Sequence, residues 1–228
     1  HNALLQNISN MIQKLNKKLS RKNLYYLISK SFNKIKKSKK NYNVLNIGAG
    51  GEIKNIIKKN FKNVFEIDID PKRNPDQIID LCDDRFFKIL RYKPDLVCVF
   101  EVLEHTTNPI KAVKNIYRII KKGDFVLASV PFIFHIHDEP HDYFRFTKFG
   151  LKLLFKDFTN VKIYERNGWL ESIFVIFIRL EKEKNILSRL LGKTFTIITF
   201  LVLPLILLIQ FIFPSKKTTT GYYVEAQK

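Results

Sequence analysis

The stretch Val44-Leu45-Asn46-Ile47-Gly48-Ala49-Gly50-Gly51-Glu52 decides how this chain folds. An apolar run long enough for one strand ends in a Gly-x-Gly-Gly turn, and a helical pattern follows through Ile53, Ile56, Ile57 and Phe61. Glycines let the backbone come close to a ligand, and the helix N-terminus aims N–H groups at it. A second strand, Asn63-Val64-Phe65-Glu66-Ile67-Asp68, ends in an acid about twenty residues after the turn, where a carboxylate meets ribose hydroxyls. Strand, turn, helix and acid together predict a nucleotide-type site.

Outward from that turn, residues 41–165 alternate strand and helix. Candidate strands are Val44–Ile47, Val64–Asp68, Gln77–Ile79, Leu96–Phe100, Asp124–Ser129 and Val161–Glu165. Helical patterns at Pro109–Ile120 and Lys148–Phe155 give the rhythm of a parallel sheet covered on both faces. Lys121-Lys122-Gly123 places a glycine at a C-cap position before the fifth strand. Residues 1–40 predict a basic amphipathic helix, with Leu4, Leu5, Ile8, Met11, Ile12, Leu15 and Leu19 at three- and four-residue spacing. Such a helix either packs on the domain or lies on an anionic membrane surface or nucleic acid.

The formal charge is +19, and residues 1–40 hold eleven Lys and Arg and no acid, so only +8 falls on the rest. Cys82 and Cys98 lack metal-ligand spacing and imply no disulfide framework, which fits a reducing compartment. No cleavable signal peptide is evident, and the chain begins at His1 rather than Met, as a truncation or tag remnant would.

A dehydrogenase and a methyltransferase both fit to this point. Ile53 stands where the third glycine of G-x-G-x-x-G belongs, so the dinucleotide fingerprint fails. Asp80-Leu81-Cys82-Asp83 puts an acid after the third strand, and Phe100-Glu101-Val102-Leu103-Glu104-His105 follows the fourth. All these polar residues lie at the carboxyl edge of the strands, where open α/β sheets bind ligands.

With these motifs in order, residues 42–165 resemble the class I S-adenosylmethionine-dependent methyltransferases of the type 11 group. The resemblance implies a Rossmann-like α/β fold: a mostly parallel seven-stranded sheet with helices on both faces, S-adenosylmethionine as cofactor, and an antiparallel seventh strand at Gly221–Ala226. Val44–Gly51 resembles the loop holding the amino-acid part of the cofactor, which implies contacts from Asn46, Gly48, Ala49, Gly50 and Gly51. Asp68, with Ile69, resembles the ribose-binding acid, and Asp80 with Leu81 the pair beside the adenine. Asp95-Leu96-Val97 through Phe100, Glu101 and His105 resembles the strand-four signature D-L-V…E-x-L-E-H, and Arg118–Gly123 the turn R-x-L-K-P-G. Asn46 where the family often has Asp, Glu52 in place of a third glycine, and no proline before Gly123 are departures.

Ser129–Thr147 looks like the branch found with cell-surface polysaccharide and lipid-linked sugar biosynthesis, and implies a substrate loop carrying His135, His137 and His141. Arg145 and Thr147 have a plainer reading as anchors of the next helix, with Thr147 as N-cap. Glu101-x-x-Glu104-His105 also looks like the divalent-metal site of small-RNA 2′-O-methyltransferases and ubiquinone-pathway O-methyltransferases, which would make Glu101, Glu104, His105 and His137 ligands. Without a metal, Glu101, His105 and His141 are the candidate catalytic residues, His105 as general base or as a structural residue.

Phe195–Phe213 is long enough to cross a bilayer, with Pro204 near its centre and no charge from Thr194 to Ser215. A crossing would strand the seventh strand on the wrong side, so a re-entrant or interfacial insertion of two short arms broken at Pro204 is expected; a lid or dimer interface is the soluble alternative. The expected organisation is a helical extension at 1–40, a cofactor-binding core at 41–168, an apolar insertion at 169–215 and a returning strand at 216–228. The expected function is O-methylation of a sugar or lipid-linked saccharide at the cytoplasmic face of a membrane. RNA 2′-O-methylation, with a nucleic-acid partner, and a non-catalytic methyltransferase-like scaffold are the rivals.

Overall fold

The computed structural model describes residues 2–38 and 41–228, without the side chains of residues 2–5 and 8, so Leu4, Leu5 and Ile8 of the expected apolar stripe lie outside the described side chains. Seven helices and seven strands are described: α1 Asn2–Ile35, β1 Asn43–Ile47, α2 Gly51–Asn60, β2 Asn63–Asp68, β3 Gln77–Ile78, α3 Phe86–Ile89, β4 Leu96–Phe100, α4 Pro109–Ile119, β5 Phe125–Pro131, α5 Lys148–Leu154, β6 Thr159–Glu165, α6 Trp169–Arg179, α7 Ile186–Ile212 and β7 Gly221–Gln227. The chain divides into two compact units. One comprises Leu27–Phe132, Ile136–Tyr164 and Tyr222–Lys228; the other comprises the chain up to Tyr26, Ile133–His135 and Glu165–Gly221.

The first unit is built on one sheet of order β3-β2-β1-β4-β5-β7-β6. β1 pairs in parallel with β2 and β4, β2 with β3, and β4 with β5. The central strands are continuous apolar runs, Leu96-Val97-Cys98-Val99-Phe100 above all, because helices cover a parallel sheet on both faces. β7 runs antiparallel to its neighbours. Lys228, just beyond it, exchanges backbone bonds with Gly123 and Asp124 ahead of β5, and the Thr159 hydroxyl at the start of β6 donates to Gln227 O. Ala112, Val113 and Ile116 bury one side of α4 in the sheet's core. From Leu27 onward α1 belongs to this unit: Phe32 meets Phe61 edge-on at 4.8 Å, and Ser31 and Lys34 bond Glu225 of β7. Gly123 is not a C-cap. α4 is capped at Ile120, and Gly123 (φ +94°) makes the turn before β5, donating its N–H to Lys228 O at 2.7 Å.

The second unit is helical. α6 and α7 pack as an antiparallel pair. The Trp169 indole donates to Phe213 O at 2.8 Å at one end, and Gly192 lies against the Glu181 backbone at the other. Arg166 N–H donates to Gly221 O, and Asn167 N–H to the Thr219 hydroxyl, so the segment leaves and rejoins at one place. Two expectations need correction. α7 runs unbroken through Pro204 for 27 residues rather than as two arms, because a proline removes one backbone bond while the flanking turns stay packed on α6. Met11 is 63 % exposed and off the buried stripe, whereas Ile12 and Leu19 of the expected stripe are buried, together with Asn16 and Ser20.

Candidate active site

The glycine turn sits where β1 ends. Gly48 has φ +88°, and a Cβ there would lie 2.6 Å from Val102 Cγ2, so a side chain is excluded by conformation and by space. Its N–H donates to Ile67 O at 2.9 Å, tying the turn to β2. Asp68 closes the cradle: Oδ2 accepts from Ala49 N and Oδ1 from Asp70 N, both at 2.9 Å. Arg73 Nε stands 3.7 Å from Asp68 Oδ2, and a Cβ on Gly50 would lie 1.9 Å from Arg73 Nη1, so the guanidinium lies across the turn. The sequence reading missed Arg73, which carries no motif and is placed by a short 3-10 turn at Pro71–Arg73. Ile69 is exposed on the same edge. Asp80 caps its own turn by accepting from Cys82 N at 2.7 Å, and the Leu81 carbonyl is held by Asn115 of α4 at 2.9 Å.

Two expected cofactor contacts point elsewhere. Asn46 is buried inside the sheet, and its amide donates to Glu66 Oε1 at 3.3 Å. Lys54 and Lys58 of α2 each reach Glu66 Oε2 at 2.8 Å and, against the opposing pull of burial, hold its carboxyl below the usual range. Asn46 therefore belongs to a network locking α2 onto β1 and β2, and strand alternation is the reason. Phe100 is buried and stacks on Tyr223, rings 6.0 Å apart.

Beyond β4 the backbone turns sharply. Glu101 adopts φ +55°, a conformation that costs a non-glycine residue energy and that clusters at functional sites. Its N–H donates to Ser129 O, and its Oε1 accepts from the Ser129 hydroxyl at 2.8 Å. A 3-10 turn at Leu103–His105 then brings Glu104 and His105 under the loop after β5. Glu104 is fully buried, and its carbonyl receives Tyr143 N and Phe144 N. Its Oε1 stands 3.7 Å from His105 Nε2 and 3.9 Å from His137 Nε2. The two imidazoles meet edge to face, 4.9 Å apart at 81°.

The loop holds both rings from behind. His105 Nδ1 is 2.8 Å from the His141 carbonyl, and His137 Nδ1 is 3.3 Å from Asp142 Oδ2. Asp142 also receives His137 N at 2.9 Å and a forked bond from Arg145, with Nη2–Oδ2 at 2.6 Å. Burial pushes the Asp142 carboxyl up; the bonds from Arg145, the His137 backbone N–H and the guanidinium charge outweigh it, so that it titrates at about 2. The His141 ring turns away to the Tyr143 hydroxyl at 2.8 Å, and His135 packs on Phe134 in the helical unit. Of the four residues expected as metal ligands, Glu104, His105 and His137 converge and Glu101 does not. Thr147 caps α5 through Gly150 N at 3.0 Å, the plainer of its two readings.

Solved structures of similar architecture are remote in sequence. A SAM-dependent methyltransferase from Archaeoglobus fulgidus superposes with a TM-score of 0.53 at 16 % identity, over 81 % of this chain and 85 % of that one. Coclaurine N-methyltransferase gives 0.51 at 12 % identity, over 89 % and 72 %. The cyclase SpnF gives 0.51 at 11 % identity, over 82 % and 75 %; at such distances likeness speaks for the fold alone. No curated protein matches the chain significantly. The family model described as a methyltransferase domain matches residues 18–164, reaching from the middle of α1 through nearly all of β6, and the chain therefore belongs to that methyltransferase domain family.

Proposed function

We propose that this S-adenosylmethionine-dependent methyltransferase acts on a hydroxyl oxygen of a sugar, most naturally one carried by a lipid-linked saccharide at the cytoplasmic face of a membrane. Asp68 would receive the ribose hydroxyls and the Gly48–Gly51 turn the amino-acid end of the cofactor, with Ile69, Asp80 and Leu81 nearer the adenine. The sulfonium is already activated, so the protein mainly aligns the acceptor and keeps water out. The S–CH3 bond breaks as the O–CH3 bond forms, S-adenosylhomocysteine leaves, and the hydroxyl proton passes to solvent beside the cluster of Glu104, His105 and His137. The loop from Ser129 to Thr147 presents His141 and Tyr143 beside that cluster, polar groups suited to a hydroxylated acceptor.

The observation that carries the membrane reading is the inverted polarity of the helical unit. Its inward positions include Asn16, Ser20, Glu171, Ser172, Thr196 and Thr199, all buried, beside an apolar cluster of Leu19, Val175 and Ile178. Its outward positions on α7 include Leu187, Phe200, Leu201, Leu208 and Phe211, the last 84 % exposed. A water-facing helix buries its large apolar residues and shows its polar ones; small and polar residues inside with aliphatic ones outside is the pattern of helices in lipid. The test offers tritiated S-adenosylmethionine with a lipid-linked saccharide in vesicles, the same saccharide without lipid, and single-stranded RNA. Methylation of the vesicle-borne acceptor above the other two is the expected result; transfer to RNA alone would overturn the reading.

A further inference from the structure

We propose that Glu104, His105 and His137 form a binding site for a divalent transition-metal ion of the zinc class. It rests on the active-site assignment and goes beyond it, because the argument is about which ring nitrogen faces inward rather than about spacing in the sequence.

A carbonyl oxygen only accepts, so the 2.8 Å contact with His141 O puts the proton of neutral His105 on Nδ1 and the lone pair on Nε2. The Asp142 carboxylate, held by its forked bond with Arg145, stands 3.3 Å from His137 Nδ1 and orients that ring in the same way. Both Nε2 atoms then turn toward one oxygen, Glu104 Oε1, at 3.7 and 3.9 Å. The three donor atoms lie within 4.8 Å of one another. Zinc bonds of about 2.0–2.1 Å in a tetrahedron place neighbouring ligand atoms roughly 3.4 Å apart. The two histidine–carboxylate spacings need to close by only a few tenths of an ångström.

The surroundings match as well. Metal-binding imidazoles almost always donate their other N–H to a carbonyl or carboxylate, and here one histidine has each kind of support. Two imidazoles and one carboxylate suit zinc and its neighbours rather than magnesium or calcium, which prefer all-oxygen shells. Three protein ligands leave a fourth position for water or an acceptor hydroxyl. Asp138 Oδ2, 3.9 Å from His105 Nε2 on a 67 % exposed side chain, marks the solvent side of that position. Glu101 lies outside the set, with its Oε1 turned to the Ser129 hydroxyl.

Tag-free protein, stripped with chelator and dialysed, is titrated with zinc chloride by calorimetry and loaded with cobalt(II) for visible absorption. The expected result is one equivalent of zinc per chain and the intense bands of four-coordinate cobalt. His105→Ala and His137→Ala should lose both signals, Asp142→Asn should weaken binding roughly 10- to 100-fold, and Glu101→Gln should keep full stoichiometry. S-adenosylmethionine titration of each variant reports whether the core is folded and separates this proposal from the methyl-transfer reading. Absence of zinc binding in a wild-type protein that binds S-adenosylmethionine overturns the site, as does zinc retained by a folded His137→Ala.

Discussion

Asp68 has one carboxylate and two tasks. It already accepts from Ala49 N and Asp70 N, so it shapes the glycine turn before any ligand arrives. In the proposed complex it also receives the ribose hydroxyls. Asp68→Ala should therefore weaken S-adenosylmethionine by roughly 1.5–3 kcal/mol, or about 10- to 150-fold in Kd, read by calorimetry. Unchanged affinity would remove the assignment. Asp142 makes a second prediction at this scale. Its folded titration at about 2 lies below the ordinary value near 4, so its pairing stabilises the protein fully above pH 5 and the gain drains away as pH falls from there through 2. Arg145→Met should cost roughly 2 kcal/mol near neutrality and flatten the decline of chemical-denaturation stability between pH 5 and 2. An equally steep decline in the variant would reject the pair as its source. Asp68 was legible in the sequence because an acid ending the second strand is a local fact. The second support of His137 was not, since Asp142 acts only once the loop has folded back. Asn46 misled because its place in the motif is right while strand pairing turns its amide to Glu66.

Elements show the same division between local and non-local information. All seven strands lie within a few residues of where apolar runs and turn residues placed them, because β and helical periodicities are written in consecutive residues. The continuity of α7 through Pro204 was not legible, since it depends on what lies alongside. Gly192 shows how close that neighbour is: a Cβ there would lie 2.1 Å from Glu181 N, a backbone atom that cannot swing aside. Gly192→Ala should push α7 off the 3-10 turn at Leu180–Lys182 that follows α6 and destabilise the helical unit by about 1–3 kcal/mol, the usual cost of overpacking. Limited proteolysis in mild detergent should then cut Glu183–Asn185 faster while the fragment bearing the core sheet persists. A digestion pattern identical to wild type would mean that α7 does not pack tightly on the turn at Leu180–Lys182.

At the scale of the whole molecule the question is how a 27-residue apolar helix, about 40 Å long, coexists with a sheet strand that follows it. β7 lies between β5 and β6 in the sheet, so the chain must return to the side it left. The pairing of Arg166 with Gly221 and of Asn167 with Thr219 shows the return within the helical unit itself. On the proposed membrane reading, a hairpin entering from one face would satisfy both facts, whereas a single crossing would satisfy neither. Insertion would contribute about 0.8 kcal/mol per CH2 transferred, and lysines of α1 such as Lys14, Lys17 and Lys18, all exposed, about 1 kcal/mol each where they reach anionic lipid. The protein should float with anionic vesicles, bind neutral ones less well, and lose flotation when Leu201, Leu208 and Phe211 are changed together to Ser. In sealed vesicles carrying the protein on the outside, a cysteine placed at Ser215 should react with an impermeant maleimide, and so should one near the C-terminus at Gln227. Reaction at Gln227 with protection at Ser215 until the vesicles are lysed would mean that the loop before β7 lies across the bilayer. The hairpin topology would then be wrong.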